Sequence, residues 1–363
     1  MNQIWNQIEQ LESVASPGLL VDVDCVARNI DSMVRIVNGD AGRLRPHVKT
    51  HKMPAVIQMQ VDAGICKFKA STIAEASMVA GAGGQDVLLA YPVVGLNIQR
   101  LAELRDQYPN TSFAVLVDHP SAISVLIDAF PKRDTPLRVF IDVDCGMHRT
   151  GIPWGPGLDQ LRYLIDQSSE LEFAGLHVYD GHLHQPSLDE RQQAVTQIHQ
   201  EIADYVGQVA APEIVAGGSP TFAMWAQQTG IHCSPGTTVF WDIGYSEKFP
   251  DLPFEIAAAL LTRVISKPGD KRICLDLGYK AIASEMPFER RVVIPDIKDA
   301  RLVSHSEEHL VVETATAASL AIGQPLLAFP RHICPTVALH NSANLIRDSA
   351  ITGQQWSVTA RNR

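Results

Sequence analysis

Arg45-Pro-His-Val-Lys-Thr-His-Lys52 is an apolar-led stretch that runs into a lysine and then a polar turn. Pro46 forbids a helix interior and biases Arg45 toward extended geometry. The stretch from Leu44 therefore reads as a buried strand that delivers Lys49 at its end. An ammonium placed there loses hydration, its pKa falls, and the free amine becomes a nucleophile able to form a Schiff base. The same cluster of Arg45, His47, Lys49, His51 and Lys52 also reads as a basic surface loop. Residues elsewhere decide between the two.

Outward from this stretch a rhythm appears. Apolar runs recur at 44–49, 66–71, 86–91, 112–118, 137–143, 173–179, 213–217 and 231–234, with helical patterns such as 72–80 and 189–206 between them. The runs are nearly continuous in apolar residues, as in parallel strands buried on both faces. Eight strand–helix units predict a (β/α)8 barrel, an α/β fold. A ninth run at 19–23 is placed outside the closed barrel, followed by a helix with Asp24 as N-cap and Val26, Ile30, Met33, Val34 and Val37 on one face. Beyond about residue 245, short runs at 256–266, 272–277, 290–294, 300–304, 309–314 and 325–330 predict a C-terminal antiparallel β domain. The expected division is a barrel over 17–245 and a β domain over 246–363, to which the segment 1–16, a short helix or arm, adds itself.

The chain has 363 residues, 46% of them hydrophobic and 19% charged, enough to bury a large core. A net charge of -10 argues against nucleic acid as a bulk partner. No run is long enough to span a bilayer and no leader pattern opens the chain, so a cytoplasmic protein is expected. The six cysteines at 25, 66, 145, 233, 274 and 334 are scattered without a CxxC pair, which predicts reduced thiols rather than a disulfide framework.

In such barrels chemistry collects at the C-terminal ends of the strands. Lys49 ends the first run, Asp144-Cys-Gly-Met-His-Arg-Thr-Gly151 follows the fifth, and Tyr179-Asp-Gly-His182 the sixth. Gly217-Gly-Ser-Pro-Thr221 follows the seventh and leads into an expected helix over 220–228. Ser234-Pro-Gly-Thr-Thr238 follows the eighth. Backbone donors at Gly218, Ser219, Gly236 and Thr237 suit a phosphate, the usual ligand of these two turns. A phosphate site with a strand-end lysine suggests pyridoxal 5'-phosphate. Arg149 is a fixed cation for the cofactor's phenolate or a substrate carboxylate, or else a partner of Asp144. Tyr179 and His182 suit proton transfer or stacking. Finally, His332-Ile-Cys334, read as extended, puts an imidazole and a thiol on one side, a pair suited to zinc and less obviously to manganese.

Together these motifs resemble the D-threonine aldolase/D-serine dehydratase group of fold-type III (alanine racemase-like) pyridoxal phosphate enzymes. The resemblance rests on Arg45–Lys52, Ser71-Thr-Ile-Ala-Glu-Ala76, Leu88-Leu-Ala-Tyr-Pro92, Gly146-Met-His-Arg-Thr-Gly151, Gly175-Leu-His-Val-Tyr-Asp-Gly-His182, Gly217-Gly-Ser-Pro-Thr-Phe222, Pro235-Gly-Thr237 and His332-Ile-Cys-Pro-Thr336. It implies that Lys49 is the Schiff-base lysine and that Arg149 lies near the cofactor's phenolic oxygen. It implies further that Tyr179 and His182 line the site, that Gly218, Ser219, Gly236 and Thr237 hold the phosphate, that His332 and Cys334 bind a divalent metal, and that the chain forms a homodimer. Two positions depart from the pattern: Thr238 stands where many relatives carry Tyr, and Arg331 precedes the metal histidine. The Gly-His-Leu-His184 turn leaves two imidazoles to choose from.

The implied reaction is retro-aldol cleavage of a D-3-hydroxy amino acid to glycine and an aldehyde. The metal would bind the β-hydroxyl, and His182 or the metal's own hydroxide would take its proton. The same constellation could serve a D-serine dehydratase, with Lys49 removing the α-proton. An amino-acid racemase would have no use for His332 and Cys334. A non-catalytic cofactor-binding protein would not need so large a C-terminal domain.

Overall fold

The structure, a computed structural model, describes Trp5 and residues 7–130, 135–207 and 211–363. These form two compact units. One holds residues 33–49 and 54–236 with the last four residues. The other holds the chain up to Ser32, Thr50–Met53 and Thr237–Thr359. The boundaries thus differ from those at 17 and 245. The first strand, β1 (Gly18–Asp22), pairs with strands near residues 258 and 343, and 237–245 goes with the β unit.

The first unit is built on a seven-stranded parallel sheet: β2 (Lys67–Ala70), β3 (Asp86–Pro92), β4 (Ser112–Val117), β5 (Leu137–Val143), β6 (Leu171–Val178), β7 (Glu213–Ala216) and β8 (Ile231–Cys233), in that order. The first run, 44–49, is not a regular strand. Pro46 has no N–H, and the chain turns at Val48. It nevertheless bonds both sheet edges. Arg45 N–H donates to Cys233 O at 2.8 Å and His47 N–H to Pro235 O at 2.8 Å, while Val48 and Lys69 N–H groups bond Lys69 O and Pro46 O. The ring of parallel elements is thereby closed, as the eight-unit pattern requires.

Alternation along the strands fills the barrel in layers. At the N-terminal ends lies an ionic floor. The guanidinium of Arg45, wholly buried, reaches Asp86 at 2.5 Å and Glu213 at 2.9 Å. Arg138 reaches the same two carboxylates at 2.6 and 2.8 Å, and Lys67 reaches Glu213 at 3.2 Å. Above it lies an apolar layer of Leu88, Ala114, Leu116, Phe140, Ala174 and Val215. The next polar side chains up the strands are Lys69, Asp142 and His177.

The surrounding helices include α2 (Pro54–Asp62), α3 (Ile73–Gly81), α4 (Leu96–Gln107), α5 (Pro120–Ala129), α6 (Pro156–Asp166) and α7 (Leu188–Val206). Thr72 caps α3, its hydroxyl accepting the Glu75 N–H at 3.1 Å. The helix after β7 is shorter than expected: a 3-10 turn over Ser219–Thr221 and then α8 (Phe222–Ala226).

The second unit is a nine-stranded sheet. Its main path runs β12 (Arg301–His305), β13 (Leu310–Glu313), β10 (Arg272–Leu275), β9 (Ala258–Ser266), β1, β15 (Ser342–Arg347) and β16 (Ala350–Ser357). β14 (Pro325–Pro330) pairs with β9 and with β11 (Val292–Val293). All pairings are antiparallel except β1–β15, so the unit is antiparallel-dominated, with β1 inserted beside β9. The N-terminal segment joins it: Trp5 Nε1 donates to Ile256 O at 2.8 Å, and the Trp5 ring meets Phe329 edge-on. Residues 1–4 and 6 of the expected arm lie outside the described residues. The helix after β1 starts at Val23, and its cap is Asp22 rather than Asp24, since Asp22 Oδ1 accepts the N–H groups of Asp24 and Cys25. None of the six cysteines is in a disulfide. Among the described residues no helix is long and apolar enough to cross a membrane.

Candidate active site

At the C-terminal ends of the barrel strands three cations gather on one ring. Lys49 Nζ lies 6.0 Å, Lys69 Nζ 5.3 Å and the Arg149 guanidinium 5.1 Å from the centre of Tyr179. Tyr179 directly follows β6, Lys69 lies within β2, and Lys49 stands in the turn after the closing segment, where its N–H meets the His47 ring at 3.3 Å. Arg149 is not paired with Asp144. That carboxylate takes the His148 ring at 2.9 Å and the N–H groups of Gly146 and His148.

Lys69 is the buried member of the three. Burial and the nearby charge of Lys49 push its pKa down to about 7. Its amine lies 3.5 Å from His177 Nε2, and His177 Nδ1 lies 2.7 Å from Asp142 Oδ1. Against the cost of burial, the His177 contact holds the Asp142 carboxyl low, whereas burial pushes His177 down. The neutral imidazole therefore donates from Nδ1 to the carboxylate and accepts at Nε2.

The two glycine turns meet. Gly236 N–H donates to Ser219 Oγ at 3.1 Å, and Ser234 Oγ donates to Gly217 O at 3.3 Å. Gly217 adopts φ +82°, and a Cβ there would lie 2.4 Å from the Trp225 ring, so only glycine fits. Trp225 Nε1 donates to buried Asp180 at 2.7 Å. His182 sits against Gly146, where a Cβ would come within 2.9 Å of its Nε2. Its buried Nδ1 has no partner among the described residues, whereas His184 is exposed. Cys145 is no rival nucleophile: burial pushes its thiol up to about 12.

These features fit an anionic, phosphate-bearing carbonyl cofactor. A lysine, a second amine and a fixed guanidinium converge on one ring, with Asp142 already taken by His177, and two turns tied together stand beside β7 and β8.

In the second unit, His332 and Cys334 do not share an extended strand. His332 has extended backbone at the N-cap position of α10 (Ile333–Val337), and Cys334 lies in the first turn of that helix. Partial burial lowers the His332 pKa, but the contact and charge of Cys334, with Asp242 and Glu285, raise it to about 9. The electron-rich and acidic groups that hold a proton on this ring are the same surroundings that would attract a metal cation in its place. Among the described residues no group of three or more His, Cys, Asp or Glu side chains is arranged for a metal. A metal here would have two protein ligands and open positions, as catalytic sites require. Thr237, expected with the phosphate turns, belongs to this unit, and its hydroxyl lies 3.6 Å from Cys334 Sγ.

The sequence model of the alanine racemase N-terminal domain matches residues 21–242, well over half the chain. The chain belongs to the alanine racemase N-terminal domain family. In this member the barrel is followed by a match over residues 257–346 to the family described as "Putative serine dehydratase domain". The chain is 28% identical to the 3-hydroxy-D-aspartate aldolase of Paracoccus denitrificans strain Pd 1222, over 96% of this chain and 93% of that one. It is 26% identical to a D-threonine aldolase of an Arthrobacter species, over 97% and 94%. The crystal structure of D-threonine aldolase from Filomicrobium marinum superposes with a TM-score of 0.87 at 27% identity, covering 97% of each chain.

Several polar groups of this alanine racemase-type barrel escaped the sequence reading: Lys69, Asp142, His177 and Asp180. Lys67-Phe-Lys-Ala70 carries the signal for the first, two lysines alternating with apolar residues, and His177 and Tyr179 alternate in the same way.

Proposed function

We propose that the chain is a lyase that cleaves D-3-hydroxy amino acids to glycine and an aldehyde, using pyridoxal 5'-phosphate and a divalent metal. The observation that carries this reading is the gathering of Lys49, Lys69 and Arg149 on Tyr179 at the strand ends. The near full-length likeness to two aldolases of D-3-hydroxy amino acids supports it.

Lys49 would hold the cofactor's carbonyl carbon, Arg149 would face its phenolic oxygen, and Gly218, Ser219, Gly236 and Thr237 would hold its phosphate. When bound, the cofactor supplies a sink for the electron pair released at the substrate's α-carbon. His332 and Cys334 would hold the metal, whose Lewis acidity favours loss of the β-hydroxyl proton. Cleavage moves one proton from that hydroxyl to the α-carbon. The unpartnered Nδ1 of His182 makes it the base we assign to the hydroxyl, and Tyr179 lines the site as a ring platform for the three cations. A homodimer follows from the family resemblance and is tested by the mass in solution.

The purified protein with pyridoxal phosphate and zinc or manganese is to be given D-threonine, 3-hydroxy-D-aspartate and D-serine separately. The expected result is glycine with acetaldehyde or glyoxylate, lost on chelation. Ammonia and a 2-oxo acid without glycine would replace the proposal with a dehydratase, the reading favoured by the match over residues 257–346.

A further inference from the structure

Two neighbours of the paired ligands are used by no step above. Thr50 Oγ1 lies 3.1 Å from Cys334 Sγ, and Thr50 is wholly buried. Glu285 Oε1 lies 2.7 Å from His332 Nδ1, with both side chains nearly half exposed. Between them, Asp242 Oδ2 accepts the Ile333 N–H at 3.1 Å, fixing the start of α10 that carries the pair.

A thiol facing a hydroxyl has either atom as donor. A sulfur bound to a metal is a thiolate without a proton, so only the Thr50 hydroxyl can then donate. A carboxylate can only accept, so Glu285 requires His332 to donate from Nδ1. Once a metal displaces the second ring proton, the Nε2 lone pair is the coordinating atom, and the Glu285 contact fixes the plane of the ring. The two contacts thus hold opposite members of the pair, one at the sulfur and one at the ring.

We propose that Thr50 and Glu285 are positioning residues of the metal site: Thr50 holds the Cys334 sulfur in place through its hydroxyl, and Glu285 presents Nε2 of His332. The inference rests on the metal reading of His332 and Cys334. It also has a consequence for the kind of ion. A sulfur ligand held in place selects a borderline-soft ion such as zinc over manganese. Thr50 belongs to the same unit as Glu285, His332 and Cys334.

The test measures zinc affinity of the full-length protein carrying pyridoxal phosphate by titration calorimetry, with cobalt(II) as a spectroscopic stand-in read through its sulfur-to-metal absorption band. Thr50→Val and Glu285→Ala are each expected to weaken zinc binding by about 10–100-fold. Thr50→Ser is expected to restore it, and Glu285→Gln, which can still accept from Nδ1, to restore part. Thr50→Val should also shift the cobalt band, a change that a purely structural role would not produce. Wild-type affinity and spectrum in both Thr50→Val and Glu285→Ala would overturn the proposal. Should Thr50→Val fail to fold, Glu285→Ala at its half-exposed position decides alone. Failure of the metal reading looks different: zinc would bind equally well to His332→Ala and Cys334→Ser.

Discussion

Lys49 and Lys69 are two amines on one tyrosine ring, and their environments differ. Lys69 is buried, and its folded pKa of about 7 lies far below the 10.5 of an unfolded chain. The sign follows from proton counting: as pH falls from about 10.5 to 7, the unfolded chain takes up a proton that the folded one refuses, so stability falls over that window and levels off below it. Asp142, Asp180 and His177 face this amine together with Lys49 and Arg149, and they do not cancel the loss. Lys69→Met should therefore be more stable than the parent near pH 7 and should lose the stability slope between pH 7 and 10. Urea titrations at a series of pH values measure both. By contrast, Lys49→Ala should abolish the bound-cofactor absorption band and activity together, while leaving the urea midpoint near that of the parent. Lys49 was legible because it closes an apolar run before a polar turn. Lys69 was not, because a run of six residues rich in apolar side chains hides two lysines that share its inner face.

At the scale of elements, most strands fall within one or two residues of their apolar runs, because a parallel strand buried on both faces leaves little room for other residue types. The misreadings share a cause: short segments are governed by single bonds rather than periodicity. Pro46 denies the first run its ladder while its neighbours still bond both sheet edges. Asp22, not Asp24, caps the helix after β1, since its carboxylate reaches two N–H groups. His332 and Cys334 share a helix start instead of an extended strand. The cap of α3 gives a direct check. Thr72→Ala leaves the Glu75 N–H without its partner and should cost about 1 kcal/mol in chemical denaturation, with Thr72→Ser nearly neutral. The ionic floor is a larger matter. Asp86→Asn or Glu213→Gln leaves Arg45 buried with half its counter-charge, and each should destabilise by about 3–5 kcal/mol.

For the whole molecule, the barrel and an antiparallel-dominated second unit were legible from the change in texture near residue 245. The seam itself was not, because β1 is an N-terminal strand recruited by pairing with β9 and β15, contacts that no local pattern reveals. β15 and β16 also went unread; β16 is largely exposed and polar along Gly353–Gln355, with no apolar alternation to mark it. Histidines that folding keeps neutral should contribute to the molecule's loss of stability in acid. Burial pushes His51 down to about 3 and His232 to about 4, against 6.5 when unfolded. Below about pH 6.5 the unfolded chain binds protons that the fold excludes, so stability should fall steadily from pH 6.5 toward 4. His51→Gln should flatten that limb, as thermal melts across the range would register; an unchanged slope would assign the limb to carboxylates.

The floor of Arg45, Lys67, Asp86, Arg138 and Glu213 also bears on how such a chain can change over generations. Replacing either carboxylate strands charge on the wholly buried Arg45, and replacing Arg45 strands Asp86 and Glu213, so such an intermediate lineage would carry a markedly less stable chain. Among descendants the five positions should be kept together or exchanged together for an apolar plug, and mixed floors should be rare. Substituting all five at once for apolar residues of similar volume should then harm the fold less than substituting Asp86 alone.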